Sequence, residues 1–147
     1  MKKSLILLSA YLFLMSSAPL FAQESPLKVK MTILLASNEG NDINLVNDAY
    51  KDQLINLFSY RSYEEVDVKA VELAKSERVK VGLPEGYELL LTYQGNEGDR
   101  SLVQALIRKE ATQFVFTVLS MAQEGVAVLG GPPAGKGVLV IVLEKIY

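Results

Sequence analysis

Hydrophobic and polar residues alternate along much of the chain, and this period of two is typical of half-buried β-strands. Val66 and Val68, for example, are each followed by a charged residue. The same alternation recurs in two later segments, where the apolar positions are Val79, Val81, Leu83, Leu89, Leu91 and Tyr93. Turn-forming residues separate these runs at 83–86 (LPEG) and 94–99 (QGNEGD). The pattern therefore predicts a series of strands joined by turns.

One segment has the period of a helix. Apolar residues recur at three- and four-residue spacing from about Ile43 to Ser59. The preceding segment, Lys28 to Ala36, alternates at first and then becomes continuously apolar, which predicts a strand that enters the core. Between them, Gly40 suits a turn, and Asn41 or the next residue offers a side-chain oxygen to cap the helix. We expect one amphipathic helix after the first strand of the mature chain.

The C-terminal half adds further strands. Residues 101–109 and 111–123 have compositions that suit a helix or a strand, but aromatic and β-branched residues such as Phe114 and Phe116 favour strands. Val138 to Leu143 is a run of six apolar residues, which predicts a last strand buried on both faces. The predicted fold class is α+β: mainly antiparallel β-sheet with one amphipathic helix after the first mature strand.

The N-terminus predicts export. Lys2 and Lys3 precede an apolar run, and serines and Pro19 follow it, as in a secretory signal peptide. Cleavage after Ala22 would leave residues 23–147 as a single α+β domain in the periplasm or outside the cell. An uncleaved anchor is the alternative, since the apolar run approaches the length of a spanning helix. If the signal is removed, the mature chain is not expected to span a membrane.

Composition excludes several classes of chemistry. The chain has no cysteine and no histidine, so disulfides, thiolate catalysis, serine–histidine triads and ordinary zinc sites are all excluded. Two of the 15 basic residues lie in the leader, so 13 basic residues face 17 acidic ones in the mature chain, for a net charge of −4. A surface with this balance does not favour nucleic acid or anionic lipid as a partner.

The segment 130–137 (GGPPAGKG) has the G-x-x-x-x-G-K spacing of a nucleotide-binding loop. Gly137, however, stands where Ser or Thr should bind the magnesium ion, and the residues that follow favour a strand instead of the required helix. We therefore predict a wide hairpin connection that binds no nucleotide. In this interpretation Gly130 and Gly131 end one strand, and the two prolines stiffen the loop.

Two acidic groups have simpler explanations than metal binding or catalysis. The loop 37–42 (SNEGND) lacks the ligand density of a calcium site, so it is interpreted as a turn with a helix cap. Glu64 and Glu65 are adjacent on a predicted strand, so they point to opposite faces and cannot flank one glycosidic bond. Glu65 and Asp67 share a face, which we interpret as solvated. No catalytic, metal-binding or cofactor-binding residue is predicted, and no cofactor is expected.

Tyr60, Arg61 and Tyr63 form the one predicted partner-binding group, because tyrosine and arginine are enriched at binding hot spots. The alternative is that the tyrosines cover the end of the helix and pack on the sheet. A protein partner, in the first case, would be another envelope protein.

Four segments carry a resemblance to known sequences: LLASN at 34–38, FSYRSY at 58–63, VGLPEGYELLL at 81–91 and LGGPPAGKGVLVIVL at 129–143. Together they resemble a group of small exported bacterial proteins that carry no assigned function. The resemblance covers nearly the whole mature chain, but it rests on turn and strand motifs. It implies one α+β domain and an export route, and it supplies no catalytic residue.

The sequence thus favours a non-catalytic exported envelope protein that acts as a protein-interaction or structural module, in which long apolar strands could offer an edge to a partner. The alternative is a small-molecule carrier, or a metal-independent enzyme, with a pocket between the helix and the sheet. Four tyrosines would line that pocket: Tyr50, Tyr60, Tyr63 and Tyr93.

Overall fold

The computed structural model describes residues 24–41 and 48–146. These residues form one α-helix, α1 (Asp48–Leu57), after the first of eight strands. The strands are β1 (Leu27–Ser37), β2 (Ser62–Leu73), β3 (Arg78–Gly82), β4 (Glu88–Glu97), β5 (Arg100–Lys109), β6 (Thr112–Met121), β7 (Val126–Ala134) and β8 (Gly137–Lys145). The predicted architecture, mainly antiparallel β-sheet with one helix after the first strand, is confirmed.

The strands form two four-stranded sheets, which the sequence pattern alone did not separate. Sheet A has the order β2-β1-β8-β7 and sheet B the order β3-β4-β5-β6. All neighbouring strands within each sheet run antiparallel. Sheet B is a simple meander, whereas the last strand, β8, returns to sheet A and pairs between β1 and β7. The two sheets face each other across the main hydrophobic core.

Strand β8 is buried on both faces, as its apolar run predicts. Leu139, Ile141 and Leu143 point into the core between the sheets. Val140 and Val142, from the alternate positions, belong to a second apolar cluster on the other face of sheet A. All five side chains are fully buried. The alternation of side chains along a strand explains how one continuous apolar segment serves two cores.

Helix α1 covers this second face of sheet A. Tyr50 and Leu54 from the helix pack against Leu34 and Val140 from the sheet. The observed helix ends at Leu57, slightly before the predicted end at Ser59. The predicted start near Ile43 lies outside the described residues. Within the part of the chain that is described, no helix is long and apolar enough to cross a membrane.

The β7–β8 connection corrects one sequence-based prediction. Gly130 and Gly131 do not end the strand, because β7 continues to Ala134 and the turn contains only Gly135 and Lys136. The prolines lie within β7, where a register shift between Gly130 and Pro133 marks a bulge. A bulge on an edge strand accommodates proline, since its missing N–H leaves no ladder bond unmade. The connection is a hairpin, but it is tight where a wide loop was predicted.

Candidate interaction surface

The two open sheets leave four edge strands, and three of them carry features that discourage pairing with another strand. Strand β2 bears a run of exposed acidic residues, Glu64, Glu65 and Asp67. Strand β3 has only five residues and includes Arg78 and Lys80. Strand β7 contains the bulge and the two prolines. Charges, short length, bulges and proline are the usual ways in which proteins protect sheet edges.

Strand β6 differs from the other three edges. Its ten residues include no charged residue and no proline. Its bulge, next to the pairing of Val115 with Ile107, lies near one end and leaves the rest of the strand regular. Phe116 is 54% exposed and Val118 is 47% exposed. A regular, uncharged and apolar edge of this length is an available template for pairing with another strand.

The exposed side chains of β6 continue an apolar row across the outer face of sheet B. Phe116 pairs with Leu106, which pairs with Leu90 and then with Lys80. Residues directly opposite each other on antiparallel strands share a face. Leu90 is buried and Leu106 is half-buried, so the exposure of the row increases toward β6. The one described α-helix packs on sheet A and not on this face.

Charged side chains form one border of the apolar row. Glu88 accepts a hydrogen bond from Arg108 at 3.1 Å and lies 3.3 Å from the ammonium group of Lys80. These hydrogen bonds, first from Arg108 and then from Lys80, hold the pKa of Glu88 below its ordinary value. The three residues are partly exposed, so their ion pairs contribute little to stability. They mark a polar rim beside an apolar centre, as at many protein interfaces.

Phe114 is exposed but already has a partner at the start of β6. Its ring meets Tyr87 edge-on, with the ring centroids 5.2 Å apart. The Tyr87 hydroxyl donates a hydrogen bond to the carbonyl oxygen of Pro133 at 3.0 Å, and the Lys109 ammonium lies 5.0 Å from the Tyr87 ring centroid. These contacts tie this end of β6 to both sheets. Phe116 and Val118 remain as the side chains presented outward.

The three residues predicted to bind a partner are in different environments. Tyr63 is fully buried, and its hydroxyl donates a hydrogen bond to the carbonyl oxygen of Leu54 in the helix at 3.3 Å. Burial raises the pKa of Tyr63, and nearby Tyr60 adds to the rise. Tyr60 is half-buried near Phe58, and Arg61 is exposed. Tyr63 therefore packs between helix and sheet, and only Tyr60 and Arg61 reach the surface.

The tyrosines predicted to line one ligand pocket do not meet at a single site. Tyr50 and Tyr63 are buried in the cluster between helix and sheet, while Tyr93 lies in the core between the two sheets, on the opposite side of sheet A. The four tyrosines predicted to line one pocket are therefore divided between two cores. A surface depression of about 800 Å³ lies elsewhere, beside the β2–β3 connection, and Glu72 and Lys75 are among the residues that line it.

The nucleotide-loop segment has no room for the missing hydroxyl residue. A Cβ atom at position 137 would overlap the backbone carbonyl oxygen of Ala36 on β1. Lys136 is exposed and pairs with Glu39 at 3.1 Å. The chain continues from this turn directly into β8, so a strand follows the loop where a nucleotide-binding loop requires a helix. Among the described residues, no group of three or more acidic side chains is placed to hold a metal ion.

Comparison of the chain with protein-family models, with curated proteins and with solved structures found no match in any of the three. The resemblance to small exported bacterial proteins therefore stays a prediction.

The sequence reasoning did not identify the β6 surface. The relevant signal was present, because the strand predicted at 111–123 contains no charged residue and no proline. The position of this strand at a sheet edge could not be predicted from the sequence, because it depends on the pairing of all the other strands.

Proposed function

We propose that the mature protein is a non-catalytic, exported envelope protein that acts as a protein-interaction or structural module, and that it contacts its partner through β6 and the adjoining outer face of sheet B. The observation that carries the proposal is the unprotected β6 edge with Phe116 and Val118 exposed. Soluble domains seldom leave a regular apolar edge uncovered unless another polypeptide pairs with it.

The residue composition supports a binding role over catalysis. The chain offers no histidine or cysteine for proton transfer or nucleophilic attack. Glu88 is the carboxylate with the clearest pKa shift, and its pKa is lowered because it is paired with two cations. A general acid needs a raised pKa instead. These features fit a domain that binds another envelope protein, in the periplasm or outside the cell.

Site-specific photocrosslinking tests this function. A photoreactive phenylalanine analogue is placed at position 116 and, in a matched control, at position 66 of the β2 edge, where Val66 is 44% exposed. Irradiation of intact cells should give one discrete adduct from position 116, with a second polypeptide that mass spectrometry identifies and maps to a single surface. Position 66 should give no such adduct. No discrete adduct at position 116, or equal adducts at both positions, would refute the proposal.

A further inference from the structure

We infer that the occupant of the β6 edge is the β6 strand of a second copy of this chain, so that two copies of sheet B join into one continuous eight-stranded sheet. The inference rests on the proposed function, since it names the partner of the same surface. It depends on four features of β6: its lack of charge, its regularity, the self-complementarity of its side chains and the area that it exposes.

Antiparallel pairing of β6 with itself about Thr117 places complementary side chains opposite each other. Phe116 then faces Val118 of the partner subunit on the outer side of the sheet, and the two-fold axis repeats this pair. Aromatic and β-branched side chains form favourable cross-strand pairs in antiparallel sheets. On the inner side, Val115 faces Leu119 of the partner subunit. Because the two-fold axis uses the same surface of both copies, no third copy can add through it, and the assembly is a dimer.

Charge permits β6, but not β2, to pair with a second copy of itself. Because β6 has no ionised side chain, a symmetric pairing brings no like charges together along the strand. The exposed edge of β2, by contrast, carries Glu64, Glu65 and Asp67, and pairing it with its own copy would oppose carboxylates. Of these two long edge strands, only β6 can pair with its own copy without placing like charges opposite each other.

The exposed area fits a modest dimer. A buried aromatic side chain covers about 150–250 Å², so the half-exposed Phe116 and Val118 offer roughly 150–200 Å² of apolar surface per copy. With the backbone edge and the flanking side chains included, the two copies would bury on the order of 1,000 Å², near the lower limit for a specific interface. We therefore expect dissociation in the micromolar range.

The first test measures assembly of the purified mature chain by sedimentation velocity from about 1 to about 200 µM. Wild type should change from monomer to dimer over this range. Val118→Lys places an ammonium group against Phe116 of the partner subunit, with the two ammonium groups diagonal to each other across the two-fold axis, and should weaken the dimer at least about 100-fold. The matched control is Val68→Lys on β2, a position of similar exposure at 41%, which should dimerise like wild type.

Salt separates this contact from a charge-driven one. Pairing of uncharged strands should be unaffected when ionic strength rises, whereas an acidic β2 edge bound to the basic residues beside sheet B would dissociate. A wild-type monomer at the highest concentration would overturn the inference. So would a Val118→Lys dimer as strong as wild type, equal weakening by Val68→Lys, or a dimer that high salt dissolves.

A cysteine scan keeps the inference testable if Val118→Lys does not fold. The chain has no cysteine, so Thr117→Cys introduces a single thiol. In the proposed register the two thiols face each other and should oxidise to a covalent dimer. Ser120→Cys is the matched control, because its copies would lie about 20 Å apart along the strands. Crosslinking at 120 but not at 117 would refute the register.

The photocrosslinking experiment distinguishes the two proposals. An adduct at position 116 that contains a second copy of this chain supports both. A monomeric protein whose adduct contains a different polypeptide overturns the dimer but leaves the interaction function standing. A monomer with no adduct overturns both.

Discussion

Replacing Gly137 with serine would complete the G-x-x-x-x-G-K-S sequence of a nucleotide-binding loop, yet we expect the substitution to damage the fold and to confer no nucleotide binding. Gly137 is the first residue of β8, immediately after the hairpin turn. A Cβ atom there would overlap the backbone carbonyl oxygen of Ala36 and would lie 3.2 Å from the Cβ atom of Ser37. Backbone atoms of a central strand cannot move aside as a flexible side chain can.

The loss of folding free energy follows from the displacement of the β1 backbone that a serine side chain would cause. Overfilling a well-packed site costs about 1–3 kcal/mol, and losing one backbone hydrogen bond at the end of the β1–β8 ladder adds about 0.5–1.5 kcal/mol. The total of about 2–4 kcal/mol is a large part of the roughly 5–15 kcal/mol by which a domain is stable. For a domain of this size each kcal/mol shifts Tm by roughly 3–5 °C, so Gly137→Ser should lower Tm by about 10 °C.

Thermal unfolding followed by circular dichroism measures this shift, with and without ATP and magnesium. Gly82→Ser is the matched control, because Gly82 also lies at a strand end, has no positive φ and has no heavy atom within 4 Å of an added Cβ. That control should melt within about 2 °C of wild type, as surface substitutions usually do. Equal Tm values for the two variants, or a nucleotide-dependent rise in Tm for Gly137→Ser, would refute the reasoning.

Three further predictions concern the core, one ion pair and export. Val140→Asp would bury an unpaired carboxylate beneath the helix and should abolish soluble expression, whereas Lys145→Asp near the end of β8 should be mild; a soluble Val140→Asp protein with a wild-type melt would contradict this. Because the pKa of Glu88 is lowered in the folded state, its carboxylate stabilises the fold above its ordinary pKa, and this contribution disappears as pH falls through the lowered value. Glu88→Gln should therefore lower Tm slightly at neutral pH and leave it unchanged in strong acid, and a Tm difference that grows in acid would show that another group is responsible. Mass spectrometry of the exported protein should find Gln23 at its N-terminus, and an intact Met1 chain in the membrane fraction would show that the signal is retained.

Local pattern was enough to predict most strands. The aromatic and β-branched residues of 111–123 outweighed a composition that also suits a helix, and β6 is a strand. The apolar run at 138–143 likewise gave the correct two-sided burial of β8. In both cases the deciding information lies in the side chains of the segment itself.

Features that depend on distant partners were not predictable. The division into two sheets depends on β8 returning to pair with β1, which no local pattern encodes. Pro132 and Pro133 indicated a loop because proline breaks central strands, but at an edge with a bulge they continue the strand. The surface of β6 was missed for the same reason, because the exposure of its side chains depends on the position of the strand at the edge of the sheet. The burial of Tyr63 was not predictable either, because its hydrogen bond to the Leu54 carbonyl joins a strand to the helix, and local sequence does not encode such a contact.

The pairing of β1 with β8 has a consequence for how the chain acquires its structure. Ile33 on β1 lies opposite Ile141 on β8, 108 residues later. Until β8 has been made, β1 has β2 on one side and an unpaired backbone on the other, and neither core of sheet A can close. Such non-local pairing slows folding, because the entropy of closing the long loop is lost before the contacts form. A growing chain would therefore hold sheet A incomplete and open to chaperones until its last strand is synthesised, and a polypeptide whose fold is still incomplete can be threaded through a narrow channel.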